Sequence, residues 1–472
     1  MTASEESNMS LSRRKFLAGT TIATAIAVTQ MSRTQASSRL SQTTKRSQSQ
    51  QEDCIFICNE DSNTLSVINP ITNQINTTIN LTSFDEDPRP PFRFVTGGMM
   101  PTHAAMVSKP LYHGAIHVHG SAPSPDSRLL AVTGRGTSNL YLIDVESKRV
   151  LGSMPNPQVK SGKEVNQEWL SSGLLVGREP HEPTFSRNGK ELWVTLRGEN
   201  RIAILDVQAA LDALEQGVTV GAVRQYFNTL NGPAQVWFSQ DGQTAFVISQ
   251  KTPLIQVFDT NPDTTGFSRP KLRTQLDIKA QDSYGFTPFQ KTTPGGKEIW
   301  FSHKLADALS ARETSGSYRL LDRISLGDRA RPNHVEFVEN ERGKVVYASL
   351  ARVDDGDPRG IASSQIVIID RAVPPGKRSV VGTFFSHGRE AHGLWTNPEN
   401  TRLYIAHEQD ELPGTPAAGQ TVCTVFDVSN PFQPAFIAQI PLGELVLPSG
   451  RLRNKKSINL VYVRLGARSQ TA

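Results

Sequence analysis

The chain has 472 residues, a formal net charge of +5 and three cysteines. A surplus this small, spread along the whole chain, excludes a nucleic-acid binder that works through a concentrated basic face. Three thiols are too few for a disulfide-stapled scaffold.

The first element is an address. Ser12-Arg13-Arg14-Lys15-Phe16-Leu17 is a twin-arginine pattern, followed by an apolar segment from Leu17 to Val28 and a small-residue cleavage site at Thr34-Gln35-Ala36, with Ala25-Ile26-Ala27 as a second choice. Residues 1–36 are expected to be a twin-arginine signal peptide that is removed, which sends the protein to the periplasm or another extracytoplasmic space. Export of a folded protein suits one that must load a cofactor first. Loss of four basic and two acidic residues with the signal leaves a charge of about +3. Residues 37–52, rich in Ser, Gln and Thr, have no apolar face to bury and are expected to be a disordered linker. No later stretch is apolar and long enough to cross a bilayer.

From residue 53 the chain repeats itself. One unit, residues 177–207, has a Pro-His run, a polar turn at Arg187-Asn188-Gly189, a strand from Glu191 to Leu196, a second turn and a third strand closing on Asp206. The apolar-pair-plus-Asp/Asn ending recurs at Asn69, Asp144, Asp206, Asp259, Asp370 and Asp427, where the side chain can accept backbone N–H bonds of the following turn. A period of roughly 40 to 50 residues with four strands per unit predicts an all-β, seven-bladed β-propeller. Six whole blades fall near 115–155, 180–226, 232–277, 284–327, 331–385 and 391–442. The fourth is degenerate, its third strand placed near Ala306 to Ala311. The seventh is split: residues 53–81 supply strands two to four, and residues 457–464 supply the missing first strand. Pairing the two ends closes the ring within 53–465 and removes exposed sheet edges. Residues 466–472 are left as a tail.

Cys54 and Cys58 are about 13 Å apart along one predicted strand and cannot bridge each other. A bridge from either to Cys423 is the alternative to three free buried thiols, which is the expected state.

The units resemble the YVTN-type repeat family of bacterial β-propellers. The resemblance is carried by His392-Gly393 with Leu403-Tyr404-Ile405-Ala406, and by Ser124-Pro125-Asp126 with Leu142-Ile143-Asp144. It covers nearly all of 53–465, implies the propeller fold and implies little about activity. The Gly-Arg-Glu-Pro-His run at 177–181 is also distantly similar to the propellers of nitrous oxide reductase and of nitrite reductases that carry haem d. The sequence lacks a Cys-x-x-Cys-His haem site and a trailing copper domain, so those activities do not carry over.

The histidines fall in register. Aligned on the first hairpin, His119, His181, His334 and His392 share one position near the start of the innermost strand. A spacing of 15 places His407 opposite His392, and His303 takes the matching place in the fourth blade. Neutral imidazoles gathered at one channel mouth are good ligands for copper or zinc, whereas a Pro-His pair that is part of the repeat's own packing does no chemistry. Arg178, Glu179, Glu182, Arg331, Arg389 and Glu390 ring the same loops, as ligand-binding rim or as salt bridges. Residues 82–114 form a long connection carrying Met99, Met100, His103 and Met106, a thioether–imidazole mixture suited to copper or a plain apolar lid. Residues 156–177 and 410–420 are expected as further rim decorations.

Three functions are compatible with this pattern. The foremost is an exported propeller, expected to be monomeric, that binds a small molecule or a protein partner at the histidine-lined mouth. Another is a metal-dependent periplasmic oxidoreductase, with copper as the metal. A weaker one is a lactonase-like hydrolase.

Overall fold

Each repeat folds as a four-stranded antiparallel sheet, and seven such sheets stand around a common axis in the computed structural model. The structure describes residues 52–81, 116–155, 169–170, 173–447 and 450–465. The expected signal, the linker up to residue 51, the whole 82–114 connection with its Met99, Met100, His103 and Met106, and the tail lie outside the described residues.

From the inner strand outward, the first blade is Val118–Pro123, Leu129–Gly134 and Asn139–Asp144. Its outer edge is shared by Arg149–Val150 and Leu174–Leu175, so the second flank of the 156–177 insertion completes the blade rather than decorating the rim. The second blade is Pro180–Phe185, Glu191–Leu196, Arg201–Asp206 and Val223–Asn228, and the third is Pro233–Phe238, Thr244–Ser249, Leu254–Asp259 and Lys271–Asp277. The fourth is Phe289–Thr292, Glu298–His303, Ala308–Glu313 and Leu320–Ser325, its third strand starting two residues later than the degenerate sequence suggests. The fifth is Pro332–Asn340, Gly343–Asp354, Ser363–Asp370 and Val380–Phe385, and the sixth is Ala391–Thr396, Arg402–His407, Val422–Asp427 and Ala435–Pro441. The closing blade takes its inner strand, Ser457–Val463, from the end of the chain and the rest, Cys54–Asn59, Thr64–Asn69 and Gln74–Asn80, from its start. Cys54 pairs with Val463 and Phe56 with Val461, so the two ends are joined by a regular ladder.

The core lies between blades. Phe56, Trp193, Phe246, Trp300, Tyr347 and Tyr404 take the same register position of the second strand in six blades, and all are fully buried. Each such ring contributes about 2–3 kcal/mol of apolar burial. In the first blade that position is Ala131, which faces the second blade, while Tyr141 of the third strand packs on the opposite face against the closing blade. The third-strand endings behave as their chemistry predicts: Asn69, Asp206, Asp370 and Asp427 accept N–H bonds from residues 71, 208, 372 and 429. Asp206 also caps a helix that the repeat pattern does not announce, α1 (Val207–Glu215). Cys54, Cys58 and Cys423 are buried free thiols.

Candidate functional site

The inner strands form a closed ring, each beside the inner strands of both neighbouring blades. Near its start, the ladder slips: between Val118 and Ser121, Pro180 and Pro183, Pro332 and Val335, and Ala391 and Leu394. A bulge leaves a backbone N–H without a ladder partner and turns the local side chains out of the pleat. Here a hydroxyl of the second strand takes up that N–H. Thr133 accepts from Gly120, Thr195 from Glu182 and Ser349 from His334, at 2.9, 3.1 and 3.1 Å. The same hydroxyls donate to the next blade's bulge: Thr133 to the carbonyl of His181, Thr195 to that of Ala234, and Ser349 to that of His392, at 2.8, 2.9 and 2.6 Å. In these three blades one Ser or Thr thus fixes two bulges at once.

This relay corrects the sequence alignment. Ser302 donates to Asn333, so Asn333, not His334, is the counterpart of His181 and His392. His334 stands one residue later, at the position of Gly120 and Glu182. The bulge also breaks the expected opposition of His392 and His407, because Ala391 is the partner of His407. The His407 ring turns away from the channel to Ser386 Oγ at 3.0 Å and the Val422 carbonyl at 3.2 Å. His303 is likewise enclosed, 2.7 Å from Ser310 Oγ and 3.0 Å from Thr287 Oγ1, with Asp282 3.5 Å away. Both are fully buried packing residues, so the rim of six histidines reduces to four.

Those four come together in two pairs. His119 Nε2 lies 3.1 Å from His181 Nε2. His334 stacks on Phe289 with ring centroids 3.9 Å apart, and the His392 ring meets its edge at 5.0 Å. His392 Nδ1 is 2.6 Å from Glu408 Oε1. His181 Nδ1 donates to the Ala234 carbonyl at 2.8 Å, which leaves its Nε2 as a lone pair. His119 must then present Nε2–H to His181, with its Nδ1 accepting from Arg135 Nη1 at 3.3 Å. Burial, reinforced by the Arg135 charge, pushes His119 down to about 3, and burial together with the neighbouring His119 and Arg135 holds His181 well below the usual imidazole range. His334 is lowered by burial and by the charge of His392. Glu182 sits beside the first pair, and burial raises its carboxyl to about 8. Asn459 donates to both its oxygens at 3.2 Å and is itself oriented by Ser121.

A second ring, which sequence reading missed, stands next to the histidines. In six blades the residue after the second strand (Glu60, Arg135, Arg197, Gln250, Lys304 or Glu408), and in the fifth blade the equivalent Ala351 within the longer second strand, donates its N–H to a residue ahead of its own blade's inner strand. Those acceptors, His117, Glu179, Gly232, Phe286, Arg331, Glu390 and Lys456, are left-handed in every case but Phe286. Six of the seven donors carry polar side chains, and they interlock. Glu60 contacts Arg135 at 2.9 Å, Lys456 at 2.9 Å and His117 at 3.3 Å. Burial alone would raise the Glu60 carboxyl, but Lys456 and Arg135 outweigh it and hold it well below the carboxylate range. Glu179 bridges Arg135 and Arg197, and Arg197 reaches Gln250 Oε1 at 2.7 Å, which leads back to His181 Nε2 at 3.3 Å. The position one past a strand of fixed length is the signal that would have found this ring.

Of the expected rim, Glu179 and Glu182 are therefore interior groups. Arg178 and Arg331 are exposed, Arg178 lying 3.8 Å from Glu199. Arg389 donates to the Asp410 carbonyl at 2.6 Å and Glu390 accepts from Gln409 at 2.8 Å, on the outer loops. Beyond the histidines the channel opens into a cavity of about 410 Å³ whose walls include Glu182, Gln235, Trp237, Lys291, His334 and Trp395. Lys291 spans it, 2.7 Å from Glu336 and 3.8 Å from the centre of the Trp395 ring.

No protein-family model matches the chain, and no curated protein matches it. The YVTN-type likeness is thus one of repeat pattern. Among solved structures, a 6-phosphogluconolactonase-like protein of Bacteroides fragilis is similar at 11% identity and a TM-score of 0.56, over 89% of this chain and 100% of that one. The periplasmic gluconolactonase of Pseudomonas aeruginosa is similar at 14% identity and a TM-score of 0.50, over 87% and 99%. A dihydro-haem d1 dehydrogenase aligns at 10% identity and a TM-score of 0.49, over 89% and 77%. At these identities the likeness is one of fold: the chain is a seven-bladed β-propeller built like those of the lactonase-like proteins.

Proposed function

We propose that the protein is an exported binding propeller whose site is the central channel, and that its ligand is a small polar organic molecule with a flat or ring-shaped face. The observation that carries this reading is the 410 Å³ cavity. Its volume falls in the range of small-molecule sites, about 300–1,000 Å³. Its walls mix the aromatic surfaces of Trp237, Phe289 and Trp395 with a few fixed polar groups, Glu182, Gln235, His334, Lys291 and Asn459. Aromatic walls give contact area, and the polar groups give orientation. The enclosed shape favours a small ligand over a protein surface, which needs a broad exposed patch.

The test is ligand-observed NMR of the mature protein against a panel of sugars, sugar acids and lactones, and aromatic acids. At least one class should bind and should be lost in Trp395→Ala, with the circular dichroism unchanged. A panel that binds nowhere, or binds the variant equally, sinks the reading. The export element rests on the Arg13-Arg14 pattern. Changing both arginines to lysine should leave the protein in the cytoplasmic fraction.

A further inference from the structure

We infer that His119, His181 and Glu182 form a binding site for one divalent transition-metal ion of the zinc–copper class, at the inner end of the channel cavity. One ligand atom from each lies within 4.8 Å of the other two. A tetrahedral ion bound at about 2.0–2.1 Å by two imidazoles holds their nitrogens about 3.3 Å apart. The two Nε2 atoms stand at 3.1 Å, so an ion enters with a shift of a few tenths of an ångström.

The surroundings do what supporting residues of a metal site do. The Ala234 carbonyl holds His181 in the Nδ1–H tautomer, aiming the Nε2 lone pair at His119. Glu60 Oε1 is 3.7 Å from His119 Nδ1, placed to accept an Nδ1–H hydrogen bond once His119 gives its Nε2 lone pair to a metal. Glu60 is itself pinned by Arg135 and Lys456. The Asn459 amide orients the Glu182 carboxylate. Room for that carboxylate exists because residue 120 is glycine: a Cβ there would stand 2.5 Å from Glu182 Oε2 and 2.3 Å from the His181 carbonyl.

Charge argues the same way. Among the described residues no cation lies within 4.0 Å of a Glu182 carboxylate oxygen, whose side-chain hydrogen-bond donor is the uncharged Asn459 amide. A buried carboxyl with no counter-ion is costly when ionised, and a divalent ion removes that cost. Two nitrogens and one carboxylate oxygen suit zinc or copper(II) and not the hard calcium or magnesium ions. Three protein ligands leave a fourth position open, as in sites that exchange a ligand, and Glu182 also lines the cavity. The inference does not require that the cavity bind an organic molecule.

The experiment uses the full mature chain stripped with chelator, dialysed and titrated with Zn²⁺ or Cu²⁺ alone. One equivalent should bind, and the Cu²⁺ form should show electron-spin-resonance hyperfine structure from two nitrogens. His119→Ala, His181→Ala and Glu182→Gln should each weaken binding by at least about a hundredfold, the upper end of what loss of an outer partner costs. Glu182→Gln keeps the size and the Asn459 contact, so it separates ligation from folding. No stoichiometric binding by folded wild type, or equal binding by folded Glu182→Gln and His181→Ala, would overturn the inference. Neither result bears on the organic-ligand screen, which is run without metal.

Discussion

The Nε2 atoms of His119 and His181 face each other at 3.1 Å across the seam between two blades. They meet because both residues lie in bulges and because Thr133 ties the carbonyl of one bulge to the N–H of the other. The contact is therefore set by blade-to-blade packing. Thr195 makes the equivalent tie to the third blade, and Thr195→Val removes it while keeping the shape. That leaves the Glu182 N–H unpaired in a buried place, at about 1–3 kcal/mol, while the Ala234 carbonyl keeps its bond from His181 Nδ1. Chemical denaturation should show a loss of about 1–3 kcal/mol, and a loss below about 0.5 kcal/mol would mean that the relay is incidental.

Glu182 gives a pH dependence of unusual sign. Its folded pKa of about 8 lies above the ordinary 4.5, so in metal-free protein its contribution is fully present below pH 4.5 and is lost as the pH rises through 8. Glu182→Gln cannot ionise. It should nearly match wild type at pH 5 and exceed it at pH 9, by on the order of 4 kcal/mol. Equal stability of the two at both pH values would refute a buried, unpaired carboxyl.

The histidines act in the opposite direction. His119 and His407 are pushed by burial from 6.5 down to about 3, so the unfolded chain takes up protons first as the pH falls. Their contribution is present above pH 6.5 and is lost progressively toward pH 3. Urea midpoints measured at pH 7, 6 and 5 should fall steadily. Midpoints flat over that range would mean that these two imidazoles are already protonated or solvated.

Gly120 and Gly295 offer a matched comparison. Gly295 has nothing within 4 Å of a Cβ, whereas Gly120 meets the His181 carbonyl and Glu182. Gly120→Ala should cost about 1–3 kcal/mol as overpacking and disturb Glu182, and Gly295→Ala should be near neutral. Thermal unfolding of the two variants checks the difference, and similar melting temperatures would contradict the close packing at residue 120.

The architecture was legible because its signals are local and repeated. The Asp and Asn endings of the third strands mark turns that their own side chains build, and the split blade follows from a unit that lacks its first strand at the start of 53–465 and a lone strand at its end. The histidine register was legible only in part. A spacing count assumes an unbroken ladder, and a single bulge residue moves His407 opposite Ala391 and shifts His334 to the position of Glu182. Glu182 itself reads as rim charge in sequence and becomes an interior group because Gly120 of another blade admits it. The Glu60–Arg135–Arg197–Gln250–Lys304–Glu408 ring stayed hidden because its members share a position and a backbone bond but differ in residue type.

The most direct test of a working channel is the metal content of the mature protein isolated from its own cell envelope without chelators. Elemental analysis should find close to one equivalent of zinc or copper per chain in wild type, and none in the His119→Ala/His181→Ala double variant purified in parallel. Folded wild type free of transition metal, or equal metal in both proteins, would contradict the assignment and leave the four channel histidines as packing residues of the repeat.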